Sequence, residues 1–284
     1  MKTTNTTVKS NELNHYQQVL AAQIKTKSMF FHTLKELPFK VVSCGKRENE
    51  FLEFCNLLAG KIEDSLLKPN PPLFPIGTGE MYSVIDFRNI DFTILDNVKL
   101  NIHRNIDSSL YSFFKELLFE VANNSKHIPK SYKIVNFDLS GSNLSNRVFN
   151  PPSRVDRALK MNEHGVQTSF SDSLFQNCNL MGADLSGCGF SRSSFENADL
   201  TGANLTNTTA KRANFSNSIL HDADLSSSDF TESRFTGADF LNSVLHKTCL
   251  ARSILQSTNL MDAKRFDEVN IAKAILPNGF NHTA

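Results

Sequence analysis

A mostly β solenoid of four-sided coils, preceded by a small mixed α/β (α+β) domain, is the fold this sequence predicts, and three regularities predict it. Every fifth residue from Phe170 to Leu260 is Leu or Phe in eighteen of nineteen cases, Ala210 being the exception. Two residues before each of them stands Ala, Ser, Thr or Cys. The large residues also come in pairs: positions in phase with 170 and 175 are Phe in seven of ten cases, the other two phases in one of nine. A period of five matches neither the 3.6 of a helix nor the 2.0 of a strand. A twenty-residue super-period is what a coil with four sides produces, because residues twenty apart then stack. Phe175, Phe195, Phe215 and Phe235 form one expected inner column, and Leu185, Leu205, Leu225 and Leu245 another.

The elements follow in chain order. Residues 1–15 hold eight Thr, Asn or Ser and, after Met1, only Val8 and Leu13 as aliphatics, so 1–28 reads as a disordered polar segment. The small domain is expected over 29–130. Phe51, Phe54, Cys55, Leu58, Ile62 and Leu66 mark one amphipathic helix, and Leu110, Phe113, Phe114, Leu117, Leu118 and Val121 a second, opened by Asp107. Ile90–Leu95 and Val98–Ile102 around Asp96-Asn97 read as a hairpin. The solenoid is expected over 131–276. It begins in a frame centred on Leu139, Leu144 and Phe149, and Pro151-Pro152 then open a helical insertion near 151–166. Ala210 demands either a void or a bulge near Thr208-Thr209. After Leu260 the phase slips by one to Phe266, Ile271 and Leu276, as a closing coil or a helical cap, before a tail over 277–284.

The triplets Ala183-Asp184-Leu185, Ala198-Asp199-Leu200 and Ala203-Asn204-Leu205 resemble the A(D/N)Lxx signature of pentapeptide-repeat proteins. That resemblance implies a right-handed quadrilateral β-helix with the centre and small residues inside and the other three positions outside. A narrower resemblance, to PipB-type effectors injected by type III secretion systems, rests on the polar start, the segment Phe39-Lys40-Val41-Val42-Ser43-Cys44-Gly45, the helix through Leu66-Leu67 and the C-terminal array. It implies an uncleaved export signal at the N-terminus, contact there with the secretion machinery or a chaperone, and association with host membranes.

The remaining sequence argues against chemistry. Thirty Lys and Arg against twenty-nine Asp and Glu leave a net charge of +1, which speaks against a whole-chain polyanion binder, and no nucleic acid is expected as partner. Twenty-three Phe beside four Tyr and no Trp suggest one repeated structural job for an apolar ring. Five Cys without a CxxC pair give neither a zinc signature nor a disulfide framework. His221 and His246 read as solvated surface imidazoles. Asp184, Asp199, Asp224, Asp229 and Asp239 each precede a centre residue and read as outward repeat positions, not acid/base pairs. Gly77-Thr78-Gly79 lacks the Lys of a phosphate loop. Cys178 and Cys188 read as interior packing groups, and Cys55 as helix core. No catalytic residue, metal or cofactor is expected.

What remains is surface. Residues 167–262 carry ten acidic and six basic side chains, whereas 1–166 sum to +4. Met181, Ile219, Leu241 and Met261 fall at outward positions of one side, with Val244 and Ile254 close by, and these six are the expected binding residues. The segment 263–280 either folds back over them or leaves them exposed. The expected function is that of a non-enzymatic secreted effector that binds a host protein or membrane. The alternative is a DNA-mimicking gyrase binder in the bacterial cytoplasm, and the sequence leaves the oligomeric state open.

Overall fold

The computed structural model describes residues 30–280 apart from 39, 45–46, 68–80, 97, 103–104, 108–109, 125–132, 150–165 and 169. The polar segment 1–28, the Gly77-Thr78-Gly79 turn and most of the 151–166 insertion fall outside the described residues.

Four parallel ladders run the length of the C-terminal half. The first side links Leu174, Ser194, Asn214, Arg234, Ile254 and Ile275, and the second Asn179, Asp199, Ile219 and Asp239. The third links Asp184, Asn204, Asp224, Val244 and Arg265, and the fourth Gly189, Thr209, Asp229, Cys249 and Asn270. Each step is twenty residues, so one coil is four five-residue sides. The last step is twenty-one. The 3₁₀ turn Leu260–Asp262 takes up the extra residue, and 263–280 is therefore a closing coil, not a helix.

Each corner has a local cause. Ala183 N–H donates to Leu180 C=O at 3.0 Å, closing a four-residue turn in which Gly182 has φ +63°. The same left-handed position recurs at every corner, held by Asn197 (φ 57°), Asn217 (φ 56°) and Asn242 (φ 58°), residues that tolerate it, and elsewhere by Arg192 (φ 61°), Glu232 (φ 62°) or Lys247 (φ 57°), which the turn forces into it. Where Asp or Asn stands before a centre it can supply a second lock: Asp224 Oδ1 accepts Ser226 N–H at 2.9 Å and Asp184 Oδ1 accepts Ser186 N–H at 3.1 Å. These carboxylates are outward, as expected, and they are also turn-forming groups.

Inside, every centre from Phe175 to Leu260 is 0–1% exposed. Phe175, Phe195 and Phe215 stack at ring separations of 4.6 and 4.7 Å with interplanar angles of 3° and 2°, and Phe235 continues the column at 5.0 Å. These separations equal the spacing of hydrogen-bonded strands, about 4.7–4.9 Å. Leu185, Leu205, Leu225 and Leu245 line another column, all fully buried. The small residues also have hydrogen-bonding work: Ser228 Oγ donates to Leu205 C=O at 2.5 Å and Thr248 Oγ1 to Leu225 C=O at 2.9 Å, both in the coil before. Cys178 Sγ likewise donates to Leu139 C=O at 2.9 Å, so it is more than a packing group.

Ala210 keeps the ladder intact. Its N–H donates to Asp229 C=O at 2.8 Å and Thr209 N–H to Cys188 C=O at 3.0 Å, which excludes the bulge. Phe190 and Phe230 stand one coil away on either side of the methyl group. Ala210→Leu is therefore expected to be neutral or stabilising by up to about 1 kcal/mol, read as a shift in the urea midpoint. A lower midpoint would mean that the neighbouring rings already fill the space.

The solenoid starts earlier than residue 131. Strand β1 is Lys40–Ser43, helix α1 Glu48–Leu67, strand β2 Met81–Asp86, strand β3 Lys99–Ile102 and strand β4 Asn105–Asp107. Helix α2 (Leu110–Asn124) and strands β5 (Lys133–Asp138) and β6 (Val166–Thr168) follow. β2, β5 and β6 form a parallel sheet, and the ladders continue it: Asp91 pairs with Asn143 and Asn143 with Asn179, steps of 52 and 36 residues. Phe87 and Phe92 are thus centres of an initial coil, both 0% exposed. A division between 130 and 131 would part residues on one ladder. β6 begins at Val166, where the expected helical insertion ends, and the insertion itself lies outside the described residues.

The expected hairpin is displaced. Phe92–Leu95 is a 3₁₀ turn capped by Asp91, and β3 pairs instead with β4 and β1 in an antiparallel sheet. Asp107 ends β4, so it does not open α2. The first N–H of the helix, at Leu110, donates to Val148 C=O at 2.8 Å, and the solenoid supplies the cap. Both expected helical stripes are buried, Leu66 lying outside the side chains described. Phe114 packs 4.9 Å from Phe137 and 5.2 Å from Phe87, and Phe54 5.7 Å from Phe92. The two helices therefore close the open N-terminal end of the coil stack with one shared core, as a solenoid terminus requires.

Arg88 ties the first two coils from outside. Its guanidinium donates to both oxygens of Asp86 at 2.9 and 2.8 Å and lies 3.6 Å from Asp138. The Arg88 hydrogen bond is the largest cause that holds the Asp86 carboxyl low, at about 2. A depressed folded pKa stabilises fully above the ordinary Asp value of about 3.9 and is lost as pH falls toward 2. Asp86→Asn should therefore flatten the loss of stability between pH 4 and pH 2 in thermal melts, and an unchanged slope would refute the assignment.

Candidate functional site

Three of every five residues face outward, so the surface is a grid of columns four coils or more in length. Met181, Ile219, Leu241 and Met261 are exposed by 43, 39, 42 and 59%. Met181, Leu241 and Met261 share the corner between the second and third sides, with Thr201 and His221 between them in the column. Ile219 stands on the adjoining second side between Asp199 and Asp239. Val244 is half-buried on the third side. Ile254 lies on the first side, opposite Val244, and does not join this group. Spacing in sequence suggested proximity for Ile254, but ten residues are two corners. The closing coil stacks beneath Leu245 and Leu255 through Arg265 and Ile275 and leaves the apolar row uncovered.

The charges are sorted by side. Asp199 and Asp239 lie on the second side, Asp222 and Asp262 at the corner, and Asp184 and Asp224 on the third side. The diagonally opposite corner carries Arg192, Lys211, Arg212, Arg252 and Lys273, with Arg234 beside it. Several of these are paired: Arg192 with Asp172 at 2.6 Å, Arg212 and Arg252 with Glu232 at 2.7 and 3.3 Å, and Lys211 with Asp229 at 3.0 Å. A net charge summed along the chain hides this sorting. Writing the sequence in rows of twenty would have exposed it.

Both outward imidazoles have partners. His221 Nε2 lies 2.6 Å from Asp239 Oδ2, and His246 Nδ1 lies 2.5 Å from Asp267 Oδ2. His246, Asp267 and Glu268 place ligand-type atoms within 4.8 Å of one another. Arg265 donates to both oxygens of Asp267 at 2.5 and 3.0 Å, and Lys247 stands 3.7 Å from Glu268, so cations of the chain already hold these carboxylates.

A cleft lies in the N-terminal region, a cavity of about 480 Å³ between the turn Leu34–Glu36 and β1, lined by Leu37, Pro38, Val42 and Cys44 with Lys35, Lys40 and Glu48. Burial pushes the Cys44 thiol up, away from the reactive thiolate. All five cysteines are free thiols. Burial raises Cys55 and lifts Cys178 to about 12. Among the described residues no helix is long and apolar enough to cross a membrane.

Residues 168–237 match the family described as pentapeptide repeat region. The chain therefore carries such a region, and pentapeptide repeats form right-handed quadrilateral β-helices. No curated protein matches the chain. Among solved structures, it is similar to trypsin-treated QnrB1, a plasmid-mediated fluoroquinolone resistance protein, at 18% identity over 51% of this chain and 75% of that one, with a TM-score of 0.27. It is similar to a pentapeptide repeat protein of the Arabidopsis thaliana thylakoid lumen at 20% identity, 43% and 66% coverage, and a TM-score of 0.18. HetL, a pentapeptide repeat protein of Nostoc involved in regulating heterocyst differentiation, aligns at 17% identity over 51% and 77%, with a TM-score of 0.16.

Proposed function

We infer that this chain, which carries a pentapeptide repeat region, is a non-enzymatic binding scaffold that acts as a secreted effector and presents one side of a rigid β-helix to a host protein or membrane. One observation carries the reading: four exposed large apolar side chains at one corner and its adjoining side of a coil stack whose backbone groups are engaged from coil to coil. Such a surface binds without moving. The polar segment 1–28 would serve export through a type III apparatus and its chaperone. A reporter fused behind residues 1–30 should be exported only by bacteria with a working apparatus. Export that survives loss of the apparatus, or full-length protein that stays in the bacterium, would defeat the secreted placement.

The sorted carboxylates favour a second reading, a DNA-mimicking gyrase ligand in the bacterial cytoplasm. Purified protein should then alter gyrase supercoiling in a salt-dependent way. Supercoiling unchanged at micromolar protein would exclude it.

A further inference from the structure

The repeat does not explain why large apolar side chains sit at the corner between the second and third sides. The residue after each centre is Gln176, Glu196, Ser216, Thr236 and Gln256 at the next corner round, and Ser191, Lys211, Thr231 and Ala251 at the opposite one. Polar residues or alanine serve the turn there. Only one corner carries Met181, Leu241 and Met261, and the acids that flank it lie on both adjoining sides while the paired cations are gathered on the far corner. Of the cations on the near sides, Arg265 is turned to Asp267, and Lys264 stands at the closing coil.

We propose that this corner docks a cationic amphipathic helix laid along the solenoid axis, which names the partner class of the scaffold reading and rests on it. A helix rises about 5.4 Å per turn and the coils are spaced about 4.7–4.9 Å, so successive turns pass successive coils, and apolar residues of the helix meet Met181 at one end and Leu241 and Met261 at the other, with Thr201 and His221 between them. From Met181 to Met261 are four coil steps, about 19 Å, or some thirteen residues of helix. Lys and Arg at the margins of its apolar stripe reach outward to Asp199 and Asp239 on one flank and Asp184 and Asp224 on the other, their stems covering apolar surface. An anionic membrane meets this side with like charge, so a lipid surface is the poorer fit.

The probe is a fluorescent Leu/Lys peptide of about eighteen residues in helical phase, titrated into the full-length protein at low and at physiological ionic strength. A peptide of the same composition with the phase scrambled, and vesicles containing phosphatidylserine, serve as comparisons. The phased peptide should bind, and binding should weaken about tenfold when Leu241→Ser and Met261→Ser are combined. Asp222→Asn with Asp262→Asn should weaken binding and flatten its salt dependence. Arg234→Gln on the first side should change neither, and circular dichroism should show every variant folded. Equal binding of the scrambled peptide, indifference to the corner substitutions, or vesicle binding that depends on Leu241 and Met261 would overturn the proposal. A protein that is exported yet ignores the phased peptide loses this inference alone. One that binds the peptide yet is not exported keeps the surface and loses the effector placement.

Discussion

Phe215→Ala is expected to destabilise the protein by about 3–5 kcal/mol, the range for deleting a fully buried ring. Phe215 is 0% exposed and lies between Phe195 at 4.7 Å and Phe235 at 5.0 Å, with Phe230 edge-on at 5.5 Å. The coil cannot contract over the space, because its four sides are pinned to both neighbouring coils by hydrogen bonds such as Phe215 N–H to Arg234 C=O at 2.7 Å. The cavity term therefore adds in full to the lost transfer energy. Asp224→Ser is the paired measurement. Asp224 Oδ1 accepts Ser226 N–H, and a serine hydroxyl can accept from the same donor, so the cost should be about 0.5 kcal/mol. Urea unfolding of the two variants compares inside with outside directly, and equal shifts would contradict the assignment.

Deleting the single residue Asn207 is expected to do far more damage than deleting the twenty residues 196–215. A one-residue deletion moves each later Leu or Phe out of its inward phase, and each displaced side chain forfeits about 1.5–3 kcal/mol of burial. Removing 196–215 takes out one coil and restores the phase: Phe195 meets Phe235 and Phe190 meets Phe230 across the join. The chain itself shows what a change of phase requires, since one additional residue near Leu260 is accommodated only by a 3₁₀ turn at the last corner before the closing coil. Far-ultraviolet circular dichroism and thermal melts should show the shorter variant folded and the one-residue deletion largely unfolded beyond the fourth side of that coil. The reverse outcome would mean that the coils do not stack in register.

The inward columns were legible because burial imposes a period on side chains that no other force sets. Phe175, Phe195, Phe215 and Phe235 had to be far apart in sequence and adjacent in space for one repeat to hide one ring. The start of the stack was not legible. Asp91 and Asn143 are separated by β3, β4, α2 and β5, and a ladder interrupted by 52 residues leaves no period to detect. The hairpin around Asp96-Asn97 failed for a related reason: local turn chemistry was present, and β1, far back in the chain, was the better partner for β3. The role of Asp residues such as Asp184 and Asp224 was not legible because the hydrogen bond to the backbone two residues on is a property of the corner, not of the pattern.

The candidate surface divides in the same way. Sequence placed Met181, Ile219, Leu241 and Met261 outside on one side; all four are exposed, with Met181, Leu241 and Met261 in one corner column and Ile219 on the side next to it. The structure moves Ile254 to the opposite side and shows the row broken by Thr201 and His221.

By itself the sequence determined the period, the inward residues and the number of sides, because hydrophobic burial acts on every repeat alike and writes itself into composition at fixed intervals. Only the tertiary structure decided where the first coil begins, what closes it, and how the outward charges are shared between opposite corners. Those outcomes depend on contacts between segments whose separation in the chain follows no rule, and on geometry around an axis that a linear order of residues does not contain.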